Sequence, residues 1–229
     1  MKAMIMAAGV GSRLMPLTKD TPKPMVPMAN RPLMENIVEL LGRHHFKEVI
    51  ANLHHQGESI SGHFDDGHDF GLKLLYSPEE KLLGTAGGVK KCEWFLDETF
   101  VVISGDALTD MNLSELLVQH RKRGALATIA LKEVVNVEQF GVVLTAGDGR
   151  ISKFQEKPAR KEAFSHQANT GIYVFEPEIF KYIPAQFYDF GSQLFPRLVE
   201  MGAPFYAVSV QDYWCDVGNI ETYRQAHVD

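Results

Sequence analysis

Cysteine is nearly absent from this chain of 229 residues: only Cys92 and Cys215 occur, too few for a disulfide framework or a zinc site. That scarcity points to a reducing cytoplasm. A basic surplus is also missing, since 23 Lys and Arg face 29 Asp and Glu for a formal net charge of -6. Nucleic acid and anionic membrane surfaces are therefore not the expected partners, and any basic residues that bind phosphate must do so locally. No apolar run approaches the roughly 18 residues of a membrane helix. The start, Met1-Lys2 leading into a short apolar stretch bounded by glycine, lacks a signal-peptide pattern. Linkers, low-complexity tracts and repeats of solenoid period are missing too. Two familiar phosphate loops fail as well: no Gly, four residues and Gly-Lys-Ser/Thr occur, and Leu14 stands where a dinucleotide fingerprint needs a third Gly or Ala.

What is present is ordinary for a globular protein, 45% apolar and 23% charged, enough to bury a sizeable core as one large or two small α/β domains. The organising stretch is Met1 to Pro27. Ala3 to Ala8 is apolar without alternation, as in a strand buried on both faces, and it runs into Gly9-Val10-Gly11-Ser12-Arg13. Gly9 and Gly11 permit positive φ and let several N–H groups approach an anion, and Arg13 adds a bidentate positive fork. A tight strand-to-loop turn explains a bare G-x-G equally well. Thr21-Pro22-Lys23-Pro24 adds a lysine held between two prolines, so Arg13 and Lys23 read as a prearranged anion clamp.

Downstream, Asn30 is placed to cap a helix with Pro32 in its first turn and Leu33, Met34, Ile37, Val38, Leu40 and Leu41 on one face. Glu48 to Asn52, Leu72 to Tyr76, Thr99 to Ile103 and Ala125 to Leu131 read as strands, with helices over Gln56 to Phe64 and Asn112 to Arg123. Alternation of this kind implies a parallel, doubly covered sheet whose ligands sit at the carboxyl ends of the strands. His54, His55, His63, His68, Asp65 and Asp66 match neither a helical H-E-x-x-H pair nor an EF-hand, and read as solvated loop residues. Asp106 follows Gly105 at a strand's carboxyl end, where a divalent cation or a helix cap would suit it. From Phe140 the pattern turns β-rich, with a hairpin to Gln155 that delivers Glu156-Lys157-Pro158. Helices are expected over Pro177 to Tyr182 and Gln193 to Glu200, a strand over Tyr206 to Val210, and a last helix capped by Asn219. Trp214 reads as core.

The order AAGVGSRLMPLTKDTPKPMVP, Leu83-Gly84-Thr85-Ala86-Gly87, Ser104-Gly105-Asp106, Phe154-Gln155-Glu156-Lys157-Pro158, Asn169-Thr170-Gly171 and Tyr213-Trp214-Cys215-Asp216-Val217-Gly218 resembles the sugar-1-phosphate nucleotidyltransferases over nearly the whole chain. The resemblance implies an α/β fold with a Rossmann-like, mostly parallel sheet flanked by helices: a nucleotide-binding half at about 1–131 and a smaller β-rich sugar-phosphate half at about 132–229. It implies nucleotide contacts from Ala7, Ala8, Gly9, Gly11, Ser12, Arg13, Gly84, Thr85, Ala86 and Gly87. Gly141, Glu156, Lys157, Asn169 and Gly171 would take the sugar phosphate, Asp106 and Asp216 would hold Mg²⁺, and Arg13, Lys23, Asp106 and Lys157 would be catalytic. Thr170 departs from the alanine common in the family. The motifs are most similar to mannose-1-phosphate guanylyltransferases, so GTP and mannose 1-phosphate are the expected substrates, with glucose-1-phosphate uridylyl- or thymidylyltransferase as the alternative. A non-catalytic sugar-nucleotide-binding relative is a further option, and a dinucleotide-dependent dehydrogenase is disfavoured by Leu14. Neither nucleic acid nor membrane is expected as a partner, and assembly into a homo-oligomer is left open. Many members of the resembled family carry a further domain after this one.

Overall fold

The computed structural model describes residues 1–229. The first half alternates strands and helices: β1 Lys2–Met6, the short pair β2 Pro27–Met28 and β3 Arg31–Pro32, α1 Leu33–Arg43, β4 Glu48–Leu53, α2 Gly57–Phe64, β5 Lys73–Pro78 and α3 Gly84–Lys91. Next come β6 Phe100–Ser104, β7 Ala107–Thr109, α4 Leu113–Lys122 and β8 Ala127–Glu133. The remainder is β9 Gly141–Thr145, β10 Ile151–Glu156, β11 Gln167–Phe175, α5 Phe195–Glu200, β12 Phe205–Ser209, β13 Trp214–Asp216 and α6 Ile220–Ala226.

One nine-stranded sheet, in the order β10-β9-β11-β6-β1-β4-β5 with β8 also paired to β11 and β12 to β8, carries the fold. Strands β6, β1, β4 and β5 are mutually parallel, so their carboxyl ends open on one edge. Strand β11 runs antiparallel to β6 and joins the β9–β10 hairpin to the same sheet. The β-rich segment thereby extends the sheet of the first half.

Both faces of the sheet are covered, which explains why β1 and β6 show no polar alternation. Met4, Phe100 and Val102 enter one core with Val89 of α3 and Phe195 and Leu198 of α5. Ala3, Ile5, Val101 and Ile103 enter the other with residues of α1, α2 and α4. A smaller cluster of Leu14, Met28, Leu33, Val217 and Ala226 ties the glycine loop to the last segment of the chain. That cluster brings residues near positions 13 and 216 together across the sequence.

Local chemistry explains several boundaries. All six apolar positions expected on α1 are buried. Asn30 is not its cap: it lies at φ 65° in the turn between β2 and β3, and Pro32 precedes the first helical residue, where its missing N–H costs nothing. Strand β1 stops at Met6 because the Ala7 amide turns to Asn52 Oδ1, 2.9 Å away. Asn112 accepts from Glu115 N and starts α4, while Gly124 at φ 56° follows its end. Asn219 and Thr222 form a full capping box on α6. The helix expected from Gln193 starts later, because Phe190–Leu194 forms a wider π turn ahead of α5.

Candidate active site

The carboxyl edge of the sheet forms a cleft with two lobes. The first is lined by Ala8, Gly9, Asn52, Glu79, Gly84 and Thr85, together with Leu82 and Phe187. The second is lined by Arg13, Gly141, Glu156, Lys157, Asn169 and Gly171, together with Gln139, Phe140, Trp214 and Asp216. Ser104 and Asp106 belong to both walls, so a ligand in one lobe meets a ligand in the other at the end of β6.

At that junction Lys23 is buried, 7% exposed, and its ammonium contacts the Asp106 carboxylate while standing 3.9 Å from Asp216 Oδ1. Lys23 therefore turns inward to the two carboxylates instead of standing beside Arg13 as an open clamp. Gly11 makes this possible. Its φ of +68° favours glycine, and a Cβ there would come within 2.8 Å of Lys23 Cβ.

The two carboxylates have different environments. Burial opposes ionisation of Asp106, but the Lys23 ammonium and the Ser104 hydroxyl, 2.5 Å from Oδ1, outweigh it and hold its pKa below the usual carboxylate range. Asp216 is pushed up to about 6, first by burial and then by the charge of Asp106, against the pull of Lys23, Arg13 and Lys157. Two hard-oxygen ligands facing one shared cation, with the charge of Asp216 still poorly offset, fit a divalent ion of the magnesium type. Gly218 keeps the space beside Asp216 open, since a Cβ there would lie 2.8 Å from Asp216 Oδ2 and 3.4 Å from an Arg13 nitrogen.

In the first lobe, Gly9 faces open space and Gly84 and Thr85 line the wall. Ala86 and Gly87 lie behind it. Ala86 is fully buried in the core, and the Gly87 amide donates to Tyr188 O at 2.9 Å. The Ala7 amide is likewise taken, by Asn52, whereas Ser12 and Arg13 are exposed. Asn52 donates in turn to Glu79 Oε1 at 2.8 Å, and Glu79 Oε2 accepts from Leu83 N at 3.0 Å. This relay joins the glycine loop after β1 to the turn that opens α3. Asn52 and Glu79 carry no motif, but a polar residue at the carboxyl end of the apolar strand β4 was a readable signal.

In the second lobe, Glu156 folds under the hairpin: a Cβ on Gly141 would lie 2.9 Å from its Oε2, and one on Gly191 would meet the same oxygen more closely still. Burial raises its pKa, opposed by Lys157 3.6 Å away. Asn169 accepts from Gly171 N and donates to the Tyr173 hydroxyl, both at 3.0 Å. The Thr170 hydroxyl donates to Ala130 O at 2.8 Å inside the sheet, so this departure from alanine faces away from the cleft chemistry. Trp214, expected in the core, is half-buried in the cleft wall: its indole N–H donates to Thr170 O at 2.9 Å and its ring meets Phe140 edge-on.

The nucleotidyl transferase family model matches residues 2–229. A UTP–glucose-1-phosphate uridylyltransferase of Synechocystis sp. is 48% identical, over 99% of this chain and 62% of that protein. The catalytic subunit beta of mannose-1-phosphate guanylyltransferase from Drosophila pseudoobscura pseudoobscura is 33% identical, over 95% and 59%. The chain thus spans about three fifths of the length of these curated relatives. Among solved structures, a UDP-glucose pyrophosphorylase bound to UDP-glucose superposes with a TM-score of 0.86 over 99% of this chain and 97% of that one, at 21% identity, a likeness of fold. With its sheet and nearly its whole length accounted for, the chain belongs to the nucleotidyl transferase family.

Proposed function

We propose that this chain transfers a nucleotidyl group from a nucleoside triphosphate to a sugar 1-phosphate, giving a nucleoside diphosphate sugar and pyrophosphate. The observation that carries the reading is the shared wall: Asp106 and Ser104 line both lobes, so two anionic substrates meet where the protein concentrates cations and carboxylates. The nucleoside enters the lobe of Gly9, Gly84 and Thr85. The sugar phosphate enters the lobe of Glu156, Lys157 and Asn169. The sugar phosphate oxygen attacks the α-phosphorus in line and pyrophosphate leaves opposite, a transfer that asks mainly for positioning and charge neutralisation. Arg13 and the amides of the Gly9–Ser12 loop hold the leaving phosphates, while Lys23 and Lys157 offset repulsion between the reacting anions. Asp106 and Asp216 would hold Mg²⁺, which would supply positive charge to offset that of the reacting phosphates. No general base is needed, because the attacking phosphate is already ionised near neutral pH.

For the substrate pair, the relative at 48% identity supports UTP and glucose 1-phosphate ahead of GTP and mannose 1-phosphate, the pair expected from the motifs. The guanylyl reading keeps the support of the relatives at 33% identity. Both substrate types are cytoplasmic metabolites, which is where we place the reaction. A grid of nucleoside triphosphates against sugar 1-phosphates, read as pyrophosphate release, tests the proposal. Fastest release is expected from UTP with glucose 1-phosphate. Fastest release from GTP with mannose 1-phosphate returns the assignment to the guanylyl reading, and no release from any pair favours a non-catalytic sugar-nucleotide-binding protein.

A further inference from the structure

Two large apolar side chains stand exposed at the nucleoside lobe: Leu82 at 42% and Phe187 at 59%, both lining the cleft. An exposed phenylalanine on a free loop would mean little. Phe187 is held in place. Tyr188 N donates to Leu83 O and Gly87 N to Tyr188 O, each at 2.9 Å. The Thr85 hydroxyl donates to Asp189 Oδ2 at 2.9 Å and accepts from Phe190 N at 2.7 Å. Hydrogen bonds thus flank Phe187 on its C-terminal side and lock its segment to the turn that opens α3.

The same turn is cut to fit. Gly84 sits at φ +75°, and a Cβ there would come within 2.5 Å of Tyr188 O and 3.3 Å of Phe187 Cε2. The edge of the Phe187 ring therefore passes over the one position in the turn that has no side chain. The charged groups that suit phosphates and sugar hydroxyls, Arg13, Glu156 and Lys157, all lie in the other lobe. Besides its polar groups, Asn52, Glu79, Thr85, Asp189 and the shared Ser104 and Asp106, the nucleoside lobe offers a fixed aromatic face and an aliphatic side chain, Leu82.

We propose that Phe187, with Leu82 beside it, is the platform on which the nucleobase stacks, an inference that rests on assigning this lobe to the nucleoside. An aromatic ring whose backbone is already ordered loses little further freedom on binding, so its contact adds to affinity. Because every base has a π-face, the platform contributes to binding of UTP and GTP alike, and choice between them falls to groups that meet the base edges.

Calorimetric binding of UTP, GTP and inorganic tripolyphosphate to the wild-type chain and to Phe187→Ala tests this, with Phe187→Tyr as the conservative variant. The expected result is that Phe187→Ala weakens UTP and GTP about tenfold or more, as base-stacking aromatics do, and leaves tripolyphosphate unchanged, while Phe187→Tyr binds as the wild type does. Thermal melting identical to wild type is expected, because the side chain is exposed. Unchanged UTP binding by Phe187→Ala, or an equal loss for tripolyphosphate, overturns the platform alone. A wild-type chain that binds UTP no better than tripolyphosphate overturns the assignment of the lobe and the platform with it.

Discussion

Lys23 contacts Asp106 and stands 3.9 Å from Asp216, so one buried ammonium is shared between two carboxylates, one from the middle of the chain and one from near its end. Removing either carboxylate changes the charge balance around Lys23 and takes away one of the two groups that would hold Mg²⁺. Asp106→Asn and Asp216→Asn are expected to lower pyrophosphate release by orders of magnitude at ordinary Mg²⁺ while the chain still folds. Turnover near wild type in either variant would take that residue out of the site.

Stability separates the two aspartates further. Asp216 titrates at about 6 in the folded protein against an ordinary 3.8, so the folded state binds the extra proton between those values. Stability therefore falls as pH rises from about 4 to about 6, and the cost is fully present above that window. Asp216→Asn removes the cost. In urea melts it should be more stable than wild type at pH 8 and equal to it near pH 3.5; a variant less stable at pH 8 would contradict the burial argument. Asp106→Asn should do the opposite at pH 8, because it leaves the Lys23 ammonium buried without its closest partner.

Arg13 and Lys157 both line the second lobe, one from the glycine loop and one from the hairpin exit. Arg13→Ala should impair use of the triphosphate and Lys157→Ala should mainly weaken the sugar phosphate. Each loss could reach about 3 kcal/mol of transition-state stabilisation, judged from single oxyanion donors elsewhere. Steady-state kinetics with each substrate varied in turn distinguishes them, and an identical pattern for both would refute this division of roles.

Far from the cleft, His120 is fully buried, its ring nitrogens 2.8 Å from the Thr128 hydroxyl and 3.1 Å from Glu176. Burial lowers its pKa below 6.5, and the nearby Glu176 only partly offsets this. The unfolded chain then takes up a proton that the folded chain resists, so stability is lost as pH falls through about 6.5. Melts at pH 8 and pH 5.5 should show a drop that shrinks in His120→Asn. An equal drop in both proteins would place the acid sensitivity elsewhere.

Much of this was legible in the sequence, for identifiable reasons. The six apolar positions of α1, the hairpin ending at Glu156 and the cap at Asn219 follow from periodicity and turn chemistry, which are local. So does the anchoring of Asp106 at the carboxyl end of β6. What periodicity does not carry is long-range direction. The inward turn of Lys23, the relay from Ala7 through Asn52 to Glu79, and the place of Trp214 in the cleft wall depend on elements far apart in sequence. Ala86 and Gly87 fell on the wrong side of the wall because a motif gives an order of residues without saying which of them face the cleft.

Pyrophosphorolysis tests the central claim most directly, since a group-transfer site must run in both directions. With UDP-glucose, pyrophosphate and Mg²⁺, phosphorus NMR should show UTP and glucose 1-phosphate rising together, with Asp106→Asn blocking both. Release of UMP and glucose 1-phosphate without UTP would show hydrolysis in place of transfer, and would contradict the account of two anionic substrates meeting at Asp106.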